Sequence, residues 1–528
     1  MKVLLLTGLQ AEALIRKNLE KYTEHEVYLK TLPIPIAAFM TPKLITYHIK
    51  KENIFYSINS NNTTVIDNID IILTPGLMKQ DTTYIQKQLK IPTYKGPSNA
   101  ADIIITLDIL NKMTLSTTKA ADILIKDKQY QEIMNIINDY QKDNPKSIKL
   151  LKKEGNFTIN NCTFGIDFPM RILGEIANAP DLTEEELLKK VKYYVDSGAD
   201  MVDIGMHAGE NKPQKAYHMI KTIKDNFNIP ISIDTLNTNE IKEALKAGAD
   251  LVLSLDHGNY ENIINDIKDY DAKAVIIPTN YKKNFIPRTA EEKVLSLEKL
   301  DKKCKNITTI ADPILDPINS PSLTESLRAC KLYRERNPTK TLFFGVGNVS
   351  ELLDADSNGV HAVLSGIAME LNANILFTPE SSLKTKNSIK ELKTASSMMF
   401  ISKMKDTIPK NLGINLINFK DKHPKDDVKI DTSDLKEITA KGNDIFKPDP
   451  KGSFKIVLED KLIKAIYYKD YKKHCVITGT TSREIYEDII RKELISKMDH
   501  AAYLGKELEK AEIALKLDKE YIQDFPIF

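Results

Sequence analysis

Paired cysteines are missing from this sequence. Cys162, Cys304, Cys330 and Cys475 stand far apart, with no CxxC among them. That spacing excludes a zinc knuckle and a disulfide framework and makes a reducing cytoplasm the expected home. Long apolar runs are missing too. No stretch approaches the roughly 20 residues of a membrane-spanning helix, and the opening Met1-Lys2-Val3-Leu4-Leu5-Leu6-Thr7-Gly8 has no cleavage site and reads as a first strand. Neither sign of charge dominates: 75 basic and 73 acidic residues leave a net charge of +2. This balance carries no nucleic-acid footprint and no polybasic membrane signal. GxGxxG and GxxxxGK[ST] are both absent, so Gly8 and Gly76 read as ordinary strand-to-helix turns rather than phosphate cradles. No His, Asp and Glu set has a metal-ligand spacing such as HxxxH, and no metal is expected.

What remains is a chain of 528 residues, 42% hydrophobic and 28% charged. At about 100–200 residues per domain, this supports roughly three domains, each with its own core. Residues 1–155 read as an N-terminal parallel α/β domain with a helical connector. "KVLLLTG" and "DIILTPG" are apolar runs ending in Gly, each followed by a helical period, and 111–155 is Lys-rich and helical in pattern.

Residues 156–405 repeat a βα rhythm, with strands expected at 171–178, 201–205, 231–235, 251–256, 274–280, 308–313, 342–348 and 362–366. Helical patterns separate them. In "TEEELLKKVKYYVDSG", Thr183 is the N-cap and Glu186 completes a capping box. Gly198-Ala199-Asp200 and Gly248-Ala249-Asp250 repeat one helix-end device, with Gly at the C-cap. Eight near-continuous apolar strands, each followed by a helix, predict a (β/α)8 barrel. Residues 406–528 follow a charged, Pro- and Gly-punctuated boundary and read as a smaller α/β domain, with a strand hairpin and then helices. Asp499 is expected to cap the last helix, with Lys506 and Glu507 on its solvated face.

Glu175, Asn178, Asp203, Asp234, Asp256, Asn280, Asp312 and Asn348 all fall at the carboxyl ends of expected strands. In a barrel those ends converge on one face, where barrel enzymes keep their chemistry. A carboxylate there costs little if it points into a wet, ligand-filled mouth, and a great deal if buried unpaired. His257, beside Asp256, is the first candidate for proton transfer and His207 the second.

These strand ends resemble those of the pterin-binding barrels, the dihydropteroate synthases and the pterin-dependent methyltransferases related to them. "PISIDT" with Asp234 is similar to the third-strand motif, "GADMVDIG" to the second strand and "ADP" at 311–313 to the sixth-strand aspartate-proline. The resemblance implies that Asp234 and Asp312 hydrogen-bond the pterin ring, whose N3–H and 2-amino donors suit a carboxylate. "GEIAN", with Glu175 and Asn178, resembles the methyltransferase branch, as does "GVGNVS", which has Gly in place of that branch's first Ser. Asn348 would by analogy lie near pterin N5. The second-strand Asp-Val-Asn of that branch is Asp203-Ile204-Gly205 here.

The synthase's seventh-strand Ser-Arg-Lys, its glycine-rich sixth loop and its Thr-Pro-Asp-Ser-Phe first loop have no counterpart, so a cation for pyrophosphate would have to come from elsewhere, such as Arg171. The tail is loosely similar to a domain attached to such barrels in methanogenic archaea.

Three readings follow. In the first, Asn348, His257 and Asp256 serve catalysis while Glu175, Asn178, Asp203, Asp234, Asn280, Asp312 and Asn348 bind a reduced pterin of the tetrahydromethanopterin or folate type. A methyl group then moves at N5, with a corrinoid protein or another methyl acceptor as partner. The second is a synthase-type condensation of a pterin pyrophosphate with an arylamine, and the third is a non-catalytic pterin-binding scaffold. A corrinoid held by His500 is the less favoured reading of the tail, and a homodimer is the expected assembly.

Overall fold

Val3, Leu4, Leu5 and Leu6 are all buried, because strand β1 (Lys2–Thr7) is covered on both faces. In the computed structural model, which describes residues 1–34, 37–51, 69–410, 412–416, 433–441, 448–470 and 472–527, β1 lies in a parallel sheet with β2 (Glu26–Thr31), β3 (Ile71–Thr74) and β4 (Thr93–Lys95), in the order β2-β1-β3-β4. Leu4 and Leu6 pack with Ile45, Ile72 and Ile85 on one side. Val3 and Leu5 pack with Ile15, Leu73 and Ile103 on the other. Burial on both faces is why this strand is a continuous apolar run rather than an alternating one. The connector contains helices Ala121–Asn138 and Pro145–Leu150.

A short antiparallel hairpin follows, β5 (Phe157–Ile159) with β6 (Cys162–Phe164). Then eight parallel strands close on themselves: β7 (Arg171–Ile176), β8 (Met201–Gly205), β9 (Ile231–Asp234), β10 (Leu251–Leu255), β11 (Lys273–Ile276), β12 (Thr309–Ala311), β13 (Thr341–Gly345) and β14 (Ile375–Pro379). β14 pairs with β7 to complete the barrel. Residues alternate along each strand. Ile172, Ile176, Val202, Ile204, Ile231 and Ile233 face the outer helices. Leu173, Met201, Leu251, Leu253, Val275, Ile310, Phe343 and Ile375 fill the interior together with Ile159 and Phe164 of the hairpin. The hairpin therefore plugs the amino-terminal end, and the barrel is a packed core open only at the other end.

The expected eighth strand at 362–366 is corrected by the structure. It lies inside helix Ser357–Glu370, and the strand is Ile375–Pro379. A short apolar run does not distinguish strand from helix by periodicity. The neighbourhood decides: Asp356 caps the helix through the N–H of Asn358, Val363 faces solvent, and Leu364 and Ala368 are buried four residues apart. The capping box of Thr183 and Glu186 is present as expected.

The chain divides into two compact units, Met1–Val428 and Lys429–Phe528. The second has an antiparallel sheet of three strands, β15 (Ser453–Glu459), β16 (Leu462–Lys469) and β17 (Lys472–Gly479). Ile456, Ile463 and Ala465 pack against Ile485, Ile489, Leu504 and Leu508 of helices Ser482–Arg491 and Met498–Leu517. Two details of that last helix differ from expectation. Lys497 takes the N-cap and Asp499 sits in the first turn. Glu507 is buried rather than solvated, where it accepts hydrogen bonds from Lys510 Nζ, Tyr521 Oη and the Asp524 N–H; Lys506 is exposed. Among the described residues, no helix is long and apolar enough to cross a membrane.

Candidate functional site

Two residues beyond the apolar interior layer, the same alternation turns polar side chains inward. Leu173 is followed by Glu175, Met201 by Asp203 and Ile310 by Asp312, while Ser232 and Asp234 share a parity on β9. Register aligns them: Glu175 pairs with Asp203 across β7 and β8, and Asp203 with Ser232 across β8 and β9. One carboxylate oxygen from each of Glu175, Asp203 and Asp234 lies within 4.8 Å of the others. Such a trio can share a proton or accept one cation. No spacing in the sequence announced it, because its members come from three different strands.

Burial raises every acid in this group, and repulsion from its neighbours in the group adds to this at Asp203 and Asp234. Asp203 is fully enclosed, and its carboxyl is held well above the usual range by burial first, then by the charges of Asp234 and Glu175. Among the described residues its Oδ2 has no hydrogen-bond partner; the Ser232 hydroxyl, which donates to Oδ1, and the Ile204 N–H oppose the shift. Burial, Glu175 and Asp312 push the Asp234 carboxyl up to about 7. Asp312 also reaches about 7, through burial, against the lowering influence of the Ile314 N–H and Lys293. Burial likewise raises Glu175, with Lys190 opposing. Desolvation penalises the charged form wherever no counter-charge compensates.

The other expected residues lie around this group. Asp256 is not part of it: its buried carboxylate accepts four donors, the N–H groups of Gly258 (2.6 Å), Asn259 (3.2 Å) and Tyr281 (2.6 Å) and the Thr279 hydroxyl (3.2 Å). It organises the loops after β10 and β11. His257 turns outward to the helix Ala290–Lys303, with Nε2 3.1 Å from both the carbonyl and the hydroxyl oxygen of Ser296. The Asn280 side chain accepts the Lys283 N–H. Asn178 is exposed and left-handed, at φ 51°. Asn348 donates its amide to the Leu315 carbonyl at 3.0 Å, tying the turn after β13 to the loop after β12. His207 bridges two loops, with Nε2 3.1 Å from Asp181 and Nδ1 3.2 Å from Glu210. Arg171 is buried at the start of β7, away from the mouth, where it donates to the Thr163 carbonyl.

Both glycine departures from the methyltransferase pattern have neighbours that explain them. A Cβ at Gly205 would stand 2.9 Å from Glu175 Oε1, and one at Gly347 would collide with Pro379 Cδ on β14. Two polar residues of this face were not singled out from sequence. Ser232 was hidden inside an apolar strand. Lys293 had a legible signal, as a charge on the stripe of Val294, Leu297 and Leu300.

A barrel with a carboxylate-ringed mouth defines the class, and similarity to known proteins defines the family. A family profile described as "Pterin binding enzyme" matches residues 179–318, and one described as "PterinBD-DUF4346" matches residues 448–524. "Uncharacterized protein MJ0107" of Methanocaldococcus jannaschii is 43% identical over 537 residues, covering 100% of this chain and 99% of its own. Dihydropteroate synthase of Clostridium beijerinckii is 35% identical over 74 residues, 12% of this chain and 28% of the synthase. The Streptococcus pyogenes synthase is 26% identical over 132 residues, 22% of this chain and 50% of the synthase. Among solved structures, dihydropteroate synthase of Yersinia pestis covers 48% of this chain and 100% of its own at 15% identity and a TM-score of 0.38. The chain belongs to the dihydropteroate synthase-like, pterin-binding barrel superfamily.

Proposed function

We propose that the barrel is a transferase that binds a reduced pterin of the tetrahydromethanopterin or folate type and moves a methyl group at N5. One observation carries this reading. The Asp234 carboxyl stands half-buried in the mouth, receives no hydrogen bond from any described residue, and has three other acids near it. Such a group favours a ligand rich in donors. The N3–H and 2-amino edge of a pterin supplies two to one carboxylate, and Asp312 offers a second acceptor. Asn178, Asn280 and Asn348 add neutral polar contacts around them. When N5 gives up a methyl cation to an acceptor, its lone pair takes a proton, and a carboxyl trio whose members are all raised is a source of one. Asp256 and His257 serve as loop framework in this reading.

The test is thermal. A panel of reduced pterins at about 100 µM should raise the melting temperature by mass action. Asp234→Asn should weaken binding by roughly 2 kcal/mol, the scale of a hydrogen bond to a charged group. No shift from any pterin would remove the assignment.

A synthase-type condensation is the second reading. It is favoured by the relatives named as dihydropteroate synthases and by exposed Lys282 and Lys283 on the loop after β11. In calorimetry, the methyl-transfer reading expects a pterin pyrophosphate to bind no better than the bare pterin, since β13 and the turn after it, residues 341–348, carry no lysine or arginine. A clear gain from the pyrophosphate would put condensation first.

A further inference from the structure

Lys293 is a charge almost fully removed from water, at 3% exposure on the helix after β11. Its ammonium donates to the Ile314 carbonyl at 2.9 Å, to Asp316 at 2.8 Å and to the Ser326 hydroxyl at 3.2 Å. Ser326 closes the set by donating to Asp316 at 2.5 Å and accepting the Asp316 N–H at 3.0 Å. All of this lies under the loop that leaves β12.

The residue gripped there is unusual. Ile314 has φ 62°, a left-handed backbone that a β-branched side chain strongly disfavours. Such a conformation persists only where its surroundings hold it. The far side of Ile314 shows what it achieves: its N–H donates to Asp312 Oδ1 at 2.8 Å. The next carbonyl, on Leu315, accepts the amide of Asn348. One loop, held from below by one buried ammonium, thus sets both Asp312 and the anchor of Asn348.

We infer that Lys293 is a positioning residue of the pterin site, which acts through the Ile314 peptide to fix the carboxylate of Asp312. The half of this inference that concerns ligand rests on the pterin reading above; the half that concerns Ile314 does not. The Asp312 carboxylate faces Lys293 and Asp316 from below, Asp234 at the end of β9 and the Cys330 thiol from the helix Leu323–Arg336. Lys293 is the cation that lowers it. Removing that charge raises the Asp312 carboxyl further and moves to higher pH any binding that needs it ionised.

The experiment compares the full chain with Lys293→Met and Lys293→Gln. Hydrogen–deuterium exchange of peptides spanning 312–318 is read without ligand, and the Kd for a tetrahydropterin is read against pH. Lys293→Met should speed exchange in that segment at least tenfold and raise Kd about tenfold at pH 7, with the pH profile displaced upward. Lys293→Gln, which keeps a donor but no charge, should show the same changes at smaller size, and it is read alone if Lys293→Met does not fold. Ile314→Gly in the Lys293→Met background should recover most of the lost affinity, because glycine takes left-handed backbone unaided. A lysine that only braced the helix would not be rescued there. Folded variants with wild-type exchange and wild-type Kd would overturn the inference. Faster exchange, with no tetrahydropterin binding even by the wild type, would remove the pterin reading and leave the Lys293–Ile314–Asp312 coupling standing.

Discussion

Gly205 and Glu175 are complementary: a Cβ at the first would lie 2.9 Å from Oε1 of the second. The Ala177 Cα and the Ile176 carbonyl stand at 3.2 and 3.3 Å from the same point, so the backbone cannot yield there and the carboxylate must. Gly205→Ala should therefore swing Glu175 away from Asp203 and Asp234 and cost about 1–2 kcal/mol of stability, the usual penalty for overpacking. A crystal structure of the variant checks the first outcome and chemical denaturation the second. Loss of the repelling Glu175 should also lower the Asp203 and Asp234 carboxyls, seen as a downward shift in their titration.

Asp234 couples stability to pH with an inverted sign. Its carboxyl is held up to about 7, above the unfolded value near 3.9, so the folded state binds the extra proton. The stability this contributes is complete below pH ~4 and disappears as pH rises through about 7. Unliganded Asp234→Asn should be more stable than wild type at pH 8, by about 1 kcal/mol or more, and should lose that advantage at acid pH. Melting curves of both proteins across pH 4–8 measure it. The same substitution should weaken pterin binding, separating what the residue does for ligand from what it does for the fold.

His207 clasps the loops after β7 and β8. Its hydrogen bonds to Glu210 and then Asp181 raise its imidazole above the ordinary histidine range. A His raised in the folded state contributes its clasp below the unfolded value near 6.5 and loses it as pH rises through the folded one. The ring should titrate above 6.5 by NMR, and limited proteolysis of segments 177–183 and 206–212 should quicken as pH rises through that titration. His207→Ala should cleave at the fast rate at every pH.

Two glycines should respond oppositely to alanine. A Cβ at Gly76 would stand 2.5 Å from the Gly96 oxygen, 2.5 Å from the Pro97 carbonyl carbon and 2.6 Å from the Ser98 nitrogen, all backbone. Gly76→Ala should destabilise by about 2–3 kcal/mol. Gly505 lies inside helix Met498–Leu517 with no atom of the described residues within 4 Å of a Cβ, so Gly505→Ala should stabilise by about 0.5–1 kcal/mol. Denaturant midpoints decide both.

His500 is expected not to ligate cobalt. Its side chain is 12% exposed, with Nδ1 3.5 Å from Asp449 rather than oriented by adjacent Asp499. Asp449 is itself held well below the usual range by donors from Ser496, Lys451 and Lys497. Cobalamin added to the full chain should show no change in visible absorption; a change abolished by His500→Ala would restore the corrinoid reading.

Much of the barrel was legible because its causes are local. Strand runs, the Thr183 capping box and the left-handed Gly198 and Gly248, each one residue past its helix's C-cap, act within a few residues, and a period of two dictates which side chains share a face. That period alone put Glu175, Asp203 and Asp312 on the parity of Leu173, Met201 and Ile310. The eighth strand was misplaced because 362–366 suits either period, and only its packing in helix Ser357–Glu370 chooses. Proximity is a different kind of fact. Glu175, Asp203 and Asp234 meet because β7, β8 and β9 pair in one register as the barrel closes, and the same closure spends Asp256 on loop N–H groups and turns His257 to Ser296. Lys293 reaches Ile314 from a helix 21 residues upstream, and Ile314 takes a backbone that its own side chain resists. Local preference determined the elements and the inward parity of the acids. Which acids meet, which are raised and what holds them was decided by desolvation and by charge across strands, forces that exist only once the chain has closed.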